Sequence, residues 1–523
     1  MTTHLARARK WLEPLGLGVA LWGLLFLNAA VRRSDWDLTN LRLPRRYWED
    51  VTVATVNYQR GTGFLYRGQA WDWWSARIAT KLKVMLPDAL SRDAVRSWQF
   101  WRTVPCRYFT NAEPMRLRDS DDSGRAWLTV WGFHLLRGVA PYLPLWLGVL
   151  AALPLFVWLS VECRWAGCTW VAAVTLSCVA LSPYVAELLT LPYSAVGFHL
   201  LGILLLLTLA VHAWLHPRPT WRGLAGRWVL GGLAFAVCTL CRATCRSLMP
   251  ALVLVALAAV LRVTGSSRRQ VRHVAGGVVL AIGLLLGPYY AIRPAQEHAV
   301  WFGVWEGLGD FDREKGHAWY DPTAREVLRR EGVVISEPIE PGATPEMEAV
   351  MRRLFLRDIA SDPLWYAKIL AQRVPATVLQ LRLWPRVTAG GTSFVRSTHP
   401  NQGISSAYYG FAPTADWFGL GRWTWEAPLP LVWLPLVLCL GGATAERLLH
   451  RRDRLFQNAR LAVLAAVAVA AGTMPLLSTT ASGPETQAFV LVYFFATGLT
   501  ADAIRRIVRT ATPSARETAD ASR

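Results

Sequence analysis

The chain has 523 residues, 53% of them hydrophobic, with 27 tryptophans and a formal net charge of +20, and its mean hydropathy is +0.25. That is too apolar and too tryptophan-rich for an ordinary soluble domain of this length. The basic residues are spread over alternate connections instead of being gathered on one face, which points to membrane topology and anionic lipid and away from nucleic acid as a partner.

A hydrocarbon core of about 30 Å takes about 20 apolar residues per helix. Segments of that kind lie near 12–31, 141–161, 167–189, 194–215, 228–241, 247–262, 274–292, 427–445, 461–478 and 487–503. The expected fold class is an all-α polytopic membrane protein of about ten transmembrane helices, with two long extracytoplasmic loops bearing interfacial helices. The first segment lacks a small-residue cleavage site and reads as a retained helix. Three regions are expected: 1–292 as an N-terminal transmembrane module containing the first outer loop (32–140), 293–426 as an extracytoplasmic loop region, and 427–523 as C-terminal helices with a basic tail.

Short basic connections stay cytoplasmic. With Arg7, Arg9 and Lys10 inside, every second connection should be basic, and Arg218, Arg222 and Arg227, then Arg262, Arg268, Arg269 and Arg272, then Arg447 to Arg460, then Arg505, Arg506 and Arg509 follow that pattern. Both termini are therefore expected in the cytoplasm, and the two long connections on the outer face.

Asp35 and Asp37 follow the first apolar run in "RRSDWDLTN". Carboxylates at i and i+2 of an extended segment point the same way. They suit joint coordination of Mg²⁺ or Mn²⁺, or one carboxylate acting as a base beside its neighbour; the plainer alternative is a solvated acidic turn offsetting Arg32 and Arg33. A second acidic pair, Glu49 and Asp50, also suits the start of a helix, where the dipole favours negative charge. Trp71, Trp73, Trp74, Ile78 and Leu82, then Trp98, Trp101 and Tyr108, recur at helix-like spacing, as in amphipathic helices lying on the membrane.

Arg242 and Arg246 stand in "CTLCRATCRSLMP". An arginine at membrane depth marks function by default and its fork fits a phosphate, although snorkelling to the interface also accounts for it. Cys238, Cys241 and Cys245 are spaced to lie along one side of a helix, without a companion His or carboxylate for a metal. The second outer loop carries 14 Asp or Glu between residues 293 and 370. It includes His317, a candidate base, and a helical pattern over 346–374 restarted at Asp362-Pro363. Gly and Ser are frequent over 387–425, as in a flap. Glu485 lies in the last short outer connection, where a solvated loop residue is the default. The candidate carboxylates thus all lie in outer connections. No G-x-S-x-G or Walker A motif occurs, and no internal repeat is visible.

The acidic motif outside the first helix, the Arg at the outer end of a middle helix and the large second loop together resemble the GT-C class of integral-membrane glycosyltransferases, in particular the bacterial branch akin to family 39 and the aminoarabinose transferases. "GLAFAVCTLCRAT", "WEGLGDFDREKGHAWYDPTA", "DIASDPLWYAKILAQRV" and "GPETQAFVLVYFFA" carry the resemblance. It implies transfer of a sugar from a polyprenyl-phosphate donor to a glycolipid, polysaccharide or protein acceptor, inverting at the sugar, in a bacterial inner membrane. It also implies that Asp35 with Asp37, or else Glu49 with Asp50, is the catalytic acidic pair, that Asp35 deprotonates or orients the acceptor hydroxyl or else holds a divalent cation with Asp37 beside it, and that Arg242 holds the donor phosphate. Arg246, His317 and Glu485 complete the expected substrate-binding set. Gln487 stands where the class places an arginine. A transporter would instead need broken helices with paired ionisable residues at membrane mid-depth, and an internal repeat, and a scaffold would use the outer loops for binding alone.

Overall fold

The computed structural model describes residues 2–33, 124, 128, 143–190, 197–217, 219–264, 271–292, 300–309, 315–317, 321–335, 344–379, 387–388, 391–392, 415–420, 423–427, 441, 444, 454–478 and 488–511. The N-terminal half contributes α1 (Thr2–Arg33), α2 (Leu143–Trp165), α3 (Thr169–Leu181), α4 (Pro183–Thr190), α5 (Gly197–Leu215), α6 (Trp221–Cys241), a 3₁₀ helix (Ala243–Leu248), α7 (Met249–Thr264) and α8 (Val271–Ile292). Four shorter helices follow, α9 (Trp301–Gly307), α10 (Asp321–Arg330), α11 (Pro345–Ser361) and α12 (Pro363–Leu379). Two long helices, α13 (Arg454–Leu477) and α14 (Val490–Ala511), come last. Among the described residues, seven stretches are long and apolar enough to cross a membrane: Trp11–Val31, Trp146–Trp165, Gly197–Leu215, Trp221–Cys241, Ala243–Thr264, Val274–Ile292 and Ala459–Leu477. The chain is a polytopic helical membrane protein.

The helix α5 is the axis of the bundle. Its sequence is apolar all round, which fits a helix enclosed by others, and α2, α6, α7 and α13 pack around it. Only its window is 94% buried, whereas those of Trp11–Val31 and Val274–Ile292 are 22% buried. The exposed side chains of the outer helices, such as Leu27, Val31, Val279 and Leu280, are apolar, as lipid contact requires. Lipid removes the hydrophobic drive between helices, so close approach at small residues matters more. A Cβ on Gly232 would collide with the Leu284 carbonyl oxygen, and one on Gly18 with the Val157 backbone.

Turn chemistry sets the boundaries. Gly167, at φ +72°, ends α2 in a Schellman turn: its N–H donates to Arg164 O at 3.2 Å and that of Cys168 to Cys163 O at 2.8 Å. The same pattern at Gly332, φ +83°, closes α10, with Val333 N–H on Leu328 O at 3.0 Å. Thr344 caps α11 by accepting from Met347 N–H at 3.2 Å. Asp362 separates α11 from α12 and accepts from Trp365 N–H at 3.0 Å.

Several expectations are corrected. The predicted span 167–189 is two pieces, because Pro183 holds Ser182 in extended backbone (ψ 114°) and the Ser182 hydroxyl then caps α4 at Val185 N–H, 3.3 Å away. The three cysteines do not share a helix, since α6 ends at Cys241 and Arg242 is extended (φ −149°, ψ 104°) ahead of the 3₁₀ helix. Beyond 387 the chain forms two short antiparallel hairpins, Val387–Thr388 with Gly391–Thr392 and Ala415–Leu420 with Trp423–Ala427. The predicted span 427–445, apart from Ala427, Gly441 and Thr444, and the interfacial helices expected over 71–108 lie outside the described residues.

Carboxylates that the sequence reading did not single out are buried within the bundle. Glu162, buried near the end of α2, accepts from Arg227 Nε of α6 and lies 2.8 Å from His212 Nδ1 of α5. Arg460 of α13, fully buried, donates to Asp502 of α14 at 2.9 Å, and Arg506 joins the same carboxylate at 2.7 Å. Arg164 meets Glu13 of α1 at 3.3 Å. These contacts bring the ends of α2, α5 and α14 together with the starts of α6 and α13 at one basic end of the bundle. Trp11 and Trp165 pack there edge to face at 4.9 Å, and Arg227 lies over the Trp165 ring.

Replacing Glu162 by Ala removes the carboxylate that Arg227 and His212 share. Loss of one partner from a buried ion pair costs about 3–5 kcal/mol. Thermal unfolding of the purified variant in detergent is expected well below that of the unaltered protein, and an unchanged transition would contradict the pairing.

Candidate functional site

The end opposite the basic one is built from the close of α6, the 3₁₀ helix and the start of α5. Arg242 and Arg246 are both half-buried there. The helix breaks at Arg242 and turns back, with Cys245 N–H donating to Arg242 O at 3.0 Å. The 3₁₀ helix is fastened to α5 by Thr244 Oγ1, 3.3 Å from His199 Nδ1, and by Cys245 Sγ donating to Phe198 O at 3.4 Å. Tyr290 of α8 reaches Met249 Sδ at 3.7 Å. Gly124, of the first long connection, packs directly on the Leu240–Cys241 backbone, where a Cβ would collide. Two guanidinium forks four residues apart at a helix break, where backbone and apolar surface meet, suit a phosphate held at the membrane boundary.

The second long connection folds as its own helical cluster, with a core of Trp305, Leu308, Leu328, Met351, Leu354, Trp365 and Ile369. The short helix α9 is held at both ends by charge. Glu348 accepts from the N–H groups of Val300, Trp301 and Phe302 at 2.9, 3.0 and 3.0 Å, placing a carboxylate at the positive end of the helix dipole. Arg373, fully buried, donates to Gly307 O at 2.7 Å and to Leu476 O at 2.8 Å. One guanidinium therefore caps the C-termini of α9 and α13 together and docks the cluster on the bundle. Since α13 starts at the basic end, this dock lies at the same end as Arg242 and Arg246.

His317 sits inside the cluster, 3% exposed. Its ring is edge-on to Trp305 at 4.7 Å and tilted against Trp365 at 5.5 Å, with Asp358 Oδ2 3.4 Å from Nε2. Lys315 lies over the Trp365 ring, 4.3 Å from its centroid, and pairs with Asp362 at 2.9 Å. The imidazole predicted as a base in a solvated loop is thus held within an aromatic enclosure, with one carboxylate nearby. The Asp362 carboxyl is held below the ordinary carboxylate range, first by the Trp365 N–H and then by Lys315.

Of the residues singled out in the sequence, Arg242 stands at the start of the 3₁₀ helix and Arg246 within it, at one end of the bundle, and His317 belongs to the docked cluster. Asp35, Asp37, Glu49, Asp50 and Glu485 lie outside the described residues. Asp358, Glu348 and Arg373 were not anticipated. Arg373 had a signal: with Trp365, Ile369 and Thr377 it follows a four-residue step along the buried face of α12, so a charge occupies a core position. Glu348 and Asp358 had none, because the groups they meet at this site, the start of α9 and His317, come from other elements.

Two outcomes follow. Arg373→Met removes both caps, and faster hydrogen exchange over 301–309 together with quicker proteolysis of the cluster is expected; exchange equal to the unaltered protein would rule out the dock. The folded value of Asp362 is depressed, so its contribution is present above the unfolded carboxylate value of about 4 and fades as pH falls through the lower folded value. Asp362→Asn keeps a cap without titrating, and its melting temperature should fall less steeply in acid; identical acid limbs would contradict the assignment.

No protein-family model, no curated protein and no solved structure matches this chain.

Proposed function

We propose that the protein is a membrane glycosyltransferase of the GT-C class that moves a sugar from a polyprenyl-phosphate donor to an acceptor at the extracytoplasmic face of a bacterial inner membrane. The observation that carries this reading is the pair Arg242 and Arg246, set at a helix break at the end of the bundle opposite the basic one and on the side where the aromatic helical cluster docks. With short basic connections cytoplasmic, that end is the outer one. A polyprenyl chain lies between helices while its phosphate meets the guanidinium forks at the interface. The acceptor oxygen attacks the anomeric carbon, the bond to the phosphate oxygen breaks with inversion, and the arginines offset the charge left on the departing phosphate.

In this scheme an acidic residue of the first outer loop, Asp35 with Asp37 or Glu49 with Asp50, takes the acceptor proton, and Asp35 and Asp37 also suit Mg²⁺ or Mn²⁺. Glu485 is assigned to substrate binding, while His317, enclosed between Trp305 and Trp365, is assigned to shaping the docked cluster beside the site. The break between α3 and α4 favours a second reading, a lipid or polysaccharide transporter, since broken helices are one of its hallmarks; the Glu162 and Asp502 pairs lie at the basic end and not at mid-depth.

Transfer of radiolabelled sugar from isolated polyprenyl-phosphate donors into a membrane fraction separates the two. Substituting Arg242 by Gln should lower transfer by about a hundredfold, the scale of losing one charge-stabilising group, and Asp35→Asn or Glu49→Gln should abolish it at matched expression. No transfer from any donor, with labelled lipid crossing the bilayer instead, would replace the enzyme with the transporter.

A further inference from the structure

At the basic end, a crevice of about 440 Å³ opens between the start of α1, the α2–α3 turn and the end of α14. Three guanidinium groups line it, Arg164, Arg505 and Arg506, against two carboxylates, Glu13 and Asp502. The carboxylates are already engaged. Asp502 is shared between Arg506 at 2.7 Å and the fully buried Arg460 at 2.9 Å. The Arg164 to Glu13 pair is 3.3 Å long with both side chains more than 40% exposed, the kind of ion pair that contributes little and exchanges readily. Arg505 is laid over the Trp170 ring at 4.9 Å. The crevice therefore keeps an excess of positive charge, and the first turn of α3 opens into it at Thr169 and Trp170.

Apolar surface borders this charge. Leu12 and Leu15 of α1 are 63% and 47% exposed, and Ile504 and Val508 of α14 are 54% and 57% exposed. A soluble anion would leave those side chains unused, whereas an amphiphile places its phosphate among the arginines and its chains along them.

We propose that this crevice binds the phosphodiester headgroup of an anionic phospholipid from the same leaflet. Basic pockets between transmembrane helices take such headgroups by charge and hydrogen bonding. The site is at the end of the bundle away from Arg242 and Arg246, and it stands whether or not the protein is a glycosyltransferase.

The test is native mass spectrometry of the full chain released from mixed phosphatidylglycerol and phosphatidylcholine micelles, repeated with inorganic phosphate added. The unaltered protein should retain phosphatidylglycerol in preference to phosphatidylcholine. R164Q/R505Q should lose about thirtyfold of that preference, given the contribution of each basic residue near anionic lipid. R268Q/R269Q, an equal loss of charge in the connection between α7 and α8, should keep it. T169E adds a carboxylate where the α3 dipole favours one, so the helix is retained while an anion is repelled; it too should lose the preference, which guards against misfolding of the double variant. Undiminished preference in R164Q/R505Q or in T169E, or an equal loss in R268Q/R269Q, would overturn the site. Displacement of the lipid by millimolar phosphate would overturn the lipid as its occupant and leave a soluble phosphate in its place.

Discussion

A guanidinium buried away from water must be met by acceptors on its donor edges, and at Arg373 those acceptors are the closing carbonyls of two helices from different parts of the chain. The fork spans Gly307 O and Leu476 O, so the outer helical cluster and the membrane bundle share one polar joint. Each helix end presents unsatisfied carbonyls and partial negative charge, and a single cation answers both. Glu348 does the converse at the start of α9. The seven-residue helix between them would be marginal alone; clamped by opposite charges at its two ends, it holds Trp305 against His317. The aromatic enclosure, and its placement over the end of the bundle that carries Arg242 and Arg246, follow from that joint.

The two ends of the bundle handle charge differently. At the basic end, carboxylates are buried and matched: Glu162 with Arg227 and His212, Asp502 with Arg460 and Arg506. Such pairs add little net stability over apolar residues of similar shape, but losing one partner is costly. They fix which helix ends lie together and so lock the order of packing around α5. At the other end the arginines sit at a helix break, fastened through Thr244 and Cys245 to the start of α5.

The helical segments were legible because each has to satisfy its own backbone in lipid, which writes about 20 apolar residues into the sequence. The boundary at Asp362-Pro363 was legible for a local reason, since Pro suits a first turn and Asp caps it. The break at Ser182–Pro183 was equally local, but the apolar run on both sides hid it. The buried pairs were hidden for another reason. Glu162 stands 50 residues from His212 and 65 from Arg227, and a lone acid at the end of an apolar run looks solvated until its partners are known.

By itself the sequence determined that the chain is a helical membrane protein and that charged residues collect at the helix ends, because composition and run length respond to the solvent each residue meets. The tertiary structure alone decided which charges neutralise one another, that Arg373 joins two helix termini, and that His317 faces Asp358 between two tryptophans. Those facts depend on distances between residues far apart in the chain, and such distances exist only once the helices have packed.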